Sequence, residues 1–297
     1  MMGARPGGLT VWSGSAAGHI GRALAELAGL PVVDIVTRVF PDGEVCVDVE
    51  AAAASETVVV VQGTQPPQDR NLQELYQLVE VARHLGARRV ACLVPYLAYG
   101  RQDRRCRPGQ PISSAIVLHI LGTLGATDLV TIDPHSAAQI ATASVSVHAI
   151  SAAPAVATWI GERGLPRPLL VAPDAGRRDH VARIAECCGA PVLTVEKTRD
   201  ESGRLSYQDE VRADGYDAVV VDDLCTTGTT LVALGGRLLA GGARSLTFVV
   251  THFFASGAEI RRQLGAPVTI AATDTVPNEA EAISVLPLLG EWIDSVC

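Results

Sequence analysis

The sequence predicts an α/β fold built twice over, and three observations carry that expectation. Valine-rich apolar runs recur along the 297 residues. Several are continuous rather than alternating, which is the pattern of strands covered on both faces in a parallel sheet. Between them lie segments with the three-and-four apolar spacing of helices, and strands alternating with helices define the α/β class. Segments of the first half also recur in the second at nearly one offset. Ala25-Glu-Leu-Ala-Gly-Leu-Pro-Val32 resembles Ala185-Glu-Cys-Cys-Gly-Ala-Pro-Val192, and Val58–Val61 before Gln62 parallels Ala218–Val221 before Asp222, both 160 positions on. Gly86-Ala-Arg-Arg-Val90 and Gly242-Ala-Arg-Ser-Leu246 add a match at 156. Such agreement points to two duplicated α/β halves.

In chain order, Val32–Val36 and Thr57–Val61 read as the first buried strands, β-branched almost throughout. Asn71–Leu85 reads as a helix: Leu72, Leu75, Leu78, Val79, Ala82 and Leu85 share one face, and Asn71 can cap its start. Val90–Pro95 and Leu129–Ile132 complete the strands of the first half. Leu169–Ala172, Val192–Val195, Ala218–Val221, Leu246–Val250 and Val268–Ala271 supply those of the second. A boundary near residues 148–155 divides the chain into domains of residues 1–150 and 151–297.

The totals narrow the function. A net charge of −8 and a pI near 5.4 give no general attraction for a nucleic-acid backbone or an anionic membrane, so no nucleic-acid or membrane partner is expected. A small anionic substrate must be met by local cations. No apolar stretch approaches the roughly 18 residues needed to span a bilayer, and the N-terminus lacks a charged region followed by an apolar run, so the expected location is the cytoplasm. Seven cysteines lie at 46, 92, 106, 187, 188, 225 and 297 without metal-site or redox spacing, and read as reduced, mostly buried thiols.

Chemistry concentrates in Val219-Val-Val-Asp-Asp-Leu-Cys-Thr-Thr-Gly-Thr-Thr-Leu231. A turn from a parallel strand into a helix offers unpaired N–H groups to a phosphate. Thr226, Thr227, Thr229 and Thr230 add hydroxyl donors, and Gly228 lets the backbone approach. Asp222 and Asp223 cannot bind phosphate but can accept from sugar hydroxyls, so the stretch fits a pentose phosphate. Two solvated capping acids at an ordinary turn are the competing reading.

These residues resemble the phosphoribosyl-diphosphate (PRPP) loop shared by type I phosphoribosyltransferases and ribose-phosphate diphosphokinases, the PRPP synthetases. Other segments favour the synthetases. Phe40-Pro-Asp-Gly-Glu-Val45, Asn71-Leu-Gln-Glu-Leu75, Val94-Pro-Tyr-Leu-Ala-Tyr-Gly-Arg-Gln-Asp-Arg104, Pro111-Ile-Ser113, Asp133-Pro-His-Ser-Ala-Ala-Gln-Ile140, Ala172-Pro-Asp-Ala-Gly176, Glu196-Lys-Thr-Arg199 and Thr273-Asp-Thr-Val-Pro277 follow in that family's order. The resemblance covers about residues 10–290. It implies two type I phosphoribosyltransferase-like domains, each a mainly parallel sheet flanked by helices, and transfer of the β,γ-diphosphoryl group of MgATP to the 1-hydroxyl of ribose 5-phosphate.

By that resemblance Lys197 and Arg199 are the catalytic cations. ATP would be met by Phe40, Asp42, Gly43 and Glu44 and by Arg101, Gln102, Asp103 and Arg104. Ribose 5-phosphate would be held by Asp222, Asp223, Thr226, Thr227, Gly228, Thr229 and Thr230, and His135 and Asp174 would stand around Mg²⁺. The family further implies a homo-oligomer, a dimer or hexamer, with an ATP site completed across an interface. Thr229 stands where the family carries glycine, and the alternatives left open are a silent regulatory subunit, a variant acting on another pentose phosphate, and a PRPP-consuming transferase.

Overall fold

The computed structural model describes residues 8–135, 145–195, 197–199, 205–207 and 211–296, with 197–199 and 205–207 described by backbone alone. The chain divides into two compact units, Met1–Ile150 with Leu286–Cys297, and Ser151–Val285.

In the first unit, strands β1 (Leu9–Ser13), β2 (Val32–Val39), β3 (Val45–Val49), β4 (Thr57–Val61), β5 (Arg89–Leu93), β6 (Asp128–Ile132) and β7 (Ser146–Ile150) form one sheet in the order β3-β2-β1-β4-β5-β6-β7. All neighbours are parallel except β2 and β3, which form a hairpin. Val58, Val59, Val60 and Val61 are fully buried in succession, so both faces of the sheet are covered, as the unbroken valine run requires. Helices α1 (Gly18–Ala28), α2 (Gln68–His84) and α3 (Ser113–Leu124) connect the strands. Trp12, Leu75, Leu78, Val79, Leu118 and Leu121 anchor the core.

The second unit carries strands β8 (Pro168–Ala172), β9 (Val192–Thr194), β12 (Asp217–Cys225), β13 (Ser245–Phe253), β14 (Thr269–Thr273) and β15 (Glu281–Ile283) in an all-parallel sheet ordered β15-β14-β13-β12-β8-β9. A separate antiparallel ribbon pairs β10 (Lys197–Arg199) with β11 (Leu205–Tyr207). Helices α4 (Ala153–Glu162), α5 (Arg178–Cys188), α6 (Thr229–Ala240) and α7 (Gly257–Leu264) flank the sheet. Val171, Val220, Leu234, Phe248 and Ile270 form its core.

The 160-residue echo is structural. A 3-10 turn at Ser15–Ala17 leading into α1 recurs at Ala175–Arg177 leading into α5. Both helices end on a left-handed glycine, Gly29 and Gly189, whose N–H meets the carbonyls of Ala25 and Glu26 or of Ala185 and Glu186.

Four expectations need correction. The final segment belongs with the first unit: in α8 (Leu286–Asp294), Leu289, Trp292 and Ile293 are buried, and Gly290 lies so close to Leu27 that a Cβ there would meet Leu27 Cδ2 at 2.8 Å. Asn71 does not cap α2, which begins three residues earlier; its Nδ2 donates instead to the Gln65 carbonyl at 2.7 Å. Strand β12 runs on to Cys225, so Asp222 and Asp223 are strand residues, with Asp222 paired to Val250. The cysteines are not mostly buried: Cys92 and Cys225 are, while Cys46, Cys106 and Cys187 are exposed.

Candidate functional site

Each sheet changes its direction of winding once. In the first, β2 lies on one side of β1 and β4 on the other; in the second, β9 and β12 flank β8. Ligands of open α/β sheets bind beyond the carboxyl ends of strands at such points. Duplication therefore gives each unit one candidate crevice, and the two are furnished differently.

In the first unit the crevice is filled. Gln62, fully buried, accepts from Ala16 N at 3.0 Å, and Gln65 Nε2 donates to Ala16 O at 2.7 Å. Buried Glu74 accepts from Ser15 N at 2.8 Å, Ser15 Oγ at 2.6 Å and Thr37 Oγ1 at 3.0 Å. A Cβ on Gly14 would stand 2.4 Å from Gln62 Oε1, and one on Gly63 would stand 2.1 Å from Gln65 Oε1. The two glutamine side chains therefore occupy the space directly beside Gly14 and Gly63.

In the second unit, acids and hydroxyls stand in the corresponding places. Asp174 precedes the turn after β8 as Gly14 precedes the turn after β1, and Asp222 and Asp223 occupy the end of β12 where Gln62 and Gly63 follow β4. Asp223 is buried and Asp222 half-buried, with Asp222 Oδ1 accepting from Asp223 N at 3.0 Å. Arg177 Nη2 meets Asp223 Oδ2 at 2.9 Å.

The chain then bends through exposed Thr226 and Thr227 to Gly228, which takes a left-handed φ of 80° as the N-cap of α6. A Cβ at Gly228 would come 2.6 Å from Ile260 Cγ1, so the bend requires glycine for both its dihedral and its space. Because Gly228 caps, Thr229 and Thr230 belong to the first helical turn rather than to a loop. No side chain caps the α6 terminus. Its first N–H groups and the threonine hydroxyls thus form a donor cluster suited to an anion. Thr227 Oγ1 and Thr229 Oγ1 lie 3.0 Å apart. Burial first, and then the charge of Asp222, push the Cys225 thiol up to about 12, so this neighbour stays protonated.

Phe40, Asp42, Gly43 and Glu44 form the β2–β3 turn. Phe40 N donates to Glu44 O at 2.8 Å, Gly43 N to Phe40 O at 2.9 Å and Glu44 N to Asp42 Oδ1 at 3.2 Å. It is a tight turn, as its Pro-Asp-Gly allowed, but Phe40 is exposed rather than a core aromatic. Arg101, Gln102 and Arg104 are exposed and Asp103 is half-buried. This segment is tethered through Tyr99 and Gln102. Gln102 N donates to Tyr99 O at 2.9 Å, Ser113 Oγ to Gln102 Oε1 at 2.6 Å, and the Tyr99 hydroxyl to Asp69. Tyr99 has a φ of 62°, unusual for a residue other than glycine. Tyr99, Asp69 and Ser113, with Leu72, Tyr76, Ile116 and Val117, line a cleft of about 340 Å³. The β2–β3 turn and the Arg101–Arg104 segment follow strands three positions apart in the sheet, roughly 14 Å in strand spacings.

His135 is exposed just after β6 in the first unit, while Asp174 is half-buried in the second. The backbone of Lys197 and Arg199 lies in β10, in register with Tyr207 and Leu205; their side chains lie outside the described residues. Sequence reasoning missed Arg177, Tyr99 and Asp69. Arg177 directly follows the Ala172–Gly176 motif, but nothing in the sequence says which carboxylate it meets.

Comparison with known proteins adds the following. A model of the N-terminal domain of ribose phosphate pyrophosphokinase matches residues 9–125. The chain is 33% identical to the ribose-phosphate pyrophosphokinase of Saccharolobus solfataricus over 282 residues, covering 93% of this chain and 97% of that protein. It is 35% identical to that of Methanothermobacter thermautotrophicus over 279 residues, again covering 93% and 97%. Its fold matches the crystal structure of phosphoribosylpyrophosphate synthetase from Mycobacterium smegmatis with a TM-score of 0.86 at 24% identity, over 97% of this chain and 98% of that one.

Proposed function

The chain belongs to the ribose-phosphate pyrophosphokinase family, and on that premise we propose that it makes PRPP and AMP from ATP and ribose 5-phosphate. The observation that carries the choice of acceptor site is the contrast between the two crevices, one filled by its own glutamines, the other lined by acids beside the donor cluster at α6. In this reading Thr226, Thr227, Gly228, Thr229 and Thr230 take the 5-phosphate, while Asp222 and Asp223 accept from ribose hydroxyls. Thr229, at the position where the family has glycine, is exposed and adds a donor.

The 1-hydroxyl oxygen attacks the β-phosphorus of ATP, the bond to the α-phosphate oxygen breaks, and AMP leaves. Such a transfer depends on positioning and charge neutralisation rather than on covalent help from the protein. Lys197 and Arg199 supply positive charge toward the transferring diphosphoryl group. Arg101, Gln102, Asp103 and Arg104 meet ATP, the arginines at its phosphates. Phe40, Asp42, Gly43 and Glu44 would meet ATP from the β2–β3 turn, in a site completed by a second copy in a homo-oligomer, as the resemblance implies. Asp174 offers the hard oxygen that Mg²⁺ prefers, and this ion is commonly held by one or two carboxylates together with substrate phosphates. Asp174 would hold it, and His135 is the second residue that the resemblance assigns to it; when bound, it would neutralise phosphate charge. No helix among the described residues is long and apolar enough to cross a membrane.

Substituting Lys197→Ala tests the catalytic assignment. AMP release should fall by roughly 100-fold or more while calorimetric ATP binding persists. Turnover near that of the unmodified protein would remove Lys197 from the reaction.

A further inference from the structure

The Arg177–Asp223 pair is the feature of the second crevice that neither the substrate assignment nor the architecture of the unit requires. Duplication supplies the control. The 3-10 turn carrying Arg177 has its counterpart at Ser15–Ala17, where the residue 160 positions earlier is Ala17, 2% exposed. That turn leads into an equally long helix ending on the same left-handed cap with alanine in this place. An arginine is therefore not needed to build the turn.

Nor is the pair an obvious source of stability. The side chains of Arg177 and Asp223 are 17% and 8% exposed. Taking both charges out of water largely cancels what their attraction returns. A buried ion pair that the fold does without elsewhere points to the site it faces.

That site places Asp174, Asp222 and Asp223 at the ends of two adjoining strands. Arg177 brings one positive charge to Asp223 and, by contact with Oδ2, fixes the carboxylate's orientation. A carboxylate offers about four lone-pair positions, so this contact does not exhaust its capacity to accept from a hydroxyl.

Resting on the acceptor reading above, we propose that Arg177 is a positioning residue for the pentose phosphate: its contact with Oδ2 holds the Asp223 carboxylate aimed so that it accepts from a sugar hydroxyl. Arg177 thereby sets acceptor affinity without touching ATP.

The test is a double-substitution cycle on the full-length protein, reading KM for ribose 5-phosphate and for ATP separately. Arg177→Gln should raise KM for ribose 5-phosphate about tenfold or more and leave that for ATP within about twofold. Arg177→Lys, which keeps the charge but loses the planar fork, should restore part of the affinity. In an Asp223→Asn background, Arg177→Gln should change KM for ribose 5-phosphate by less than about twofold, because the group it positions is already altered. Equal increases in both KM values, or a full effect in the Asp223→Asn background, would overturn the proposal. If Arg177→Gln does not fold, Arg177→Lys alone decides: a KM for ribose 5-phosphate equal to that of the unmodified protein contradicts positioning, and a several-fold rise with KM for ATP unchanged supports it. Failure of the acceptor reading is distinct, since the unmodified protein would then neither turn over nor bind ribose 5-phosphate.

Discussion

Asp128, at the start of β6, receives Arg89 Nε and Nη2 at 2.9 and 3.0 Å, Thr127 Oγ1 at 2.7 Å and His148 Nε2 at 2.8 Å. Burial pushes its pKa up, but the hydrogen bonds from Arg89, Thr127 and His148 outweigh burial and hold it at about 2, below the ordinary 3.8. A depressed carboxylate stabilises the fold above its unfolded value, and that contribution disappears as pH falls toward the folded value. Asp128→Asn should therefore cost about 2 kcal/mol above pH 4, with the difference from the unmodified protein shrinking toward pH 2. Urea melts across that range check it, and a difference independent of pH would contradict it. At Gly228, valine would combine an unfavourable φ with a Cβ only 2.6 Å from Ile260. Gly228→Val should lower stability by about 2 kcal/mol and raise KM for ribose 5-phosphate; unchanged binding would detach the α6 terminus from the phosphate. Candidate positions are legible in the sequence where a motif marks them, as at Asp222 and Gly228, and their roles stand as proposals. The partner of Arg177 was not, because the two residues are 46 positions apart and meet only through the pairing of β8 with β12.

At the scale of elements, the filled crevice of the first unit makes a sharp contrast. Gly14→Ala should cost about 1–3 kcal/mol through collision with Gln62, yet leave KM for ribose 5-phosphate unchanged. A large rise in that KM would place substrate in the first unit. The Arg101–Arg104 segment depends instead on its tethers. Tyr99→Phe removes a hydroxyl donated to the Asp69 carboxylate and should raise KM for ATP several-fold without affecting that for ribose 5-phosphate; equal KM values would show the tether to be dispensable. Strands with unbroken valine runs, such as β4, were readable from the sequence because burial on both faces leaves an unmistakable pattern. Leu9–Ser13 was passed over despite its apolar character, since a five-residue run ending in serine carries little signal. The β2–β3 hairpin was half read. Its β3 strand alternates buried Val45 and half-buried Val47 and Val49 with exposed Cys46 and Asp48, a short pattern that follows directly on the turn signal of Pro41-Asp42-Gly43.

Across the whole molecule, the offset of 160 residues already implied two similar sheets, and the matched turns and caps of α1 and α5 carry that repeat into the backbone. What the offset could not convey was divergence. The same position became a fully buried glutamine at Gln62, bonded to Ala16, and a half-buried acid at Asp222, and only the packing around each reveals that difference. The return of α8 to the first unit was equally hidden, because packing of Leu289, Trp292 and Ile293 after a whole intervening unit leaves no local mark. The central claim is that the chain carries out diphosphoryl transfer to ribose 5-phosphate held at the crevice of the second unit. The most direct measurement is AMP release from ATP and Mg²⁺ by the purified protein, with and without ribose 5-phosphate, and identification of the sugar product by mass. The account predicts AMP and PRPP in equal amounts, strictly dependent on the sugar phosphate; AMP formation without it, or ATP binding with no turnover in its presence, would contradict the account.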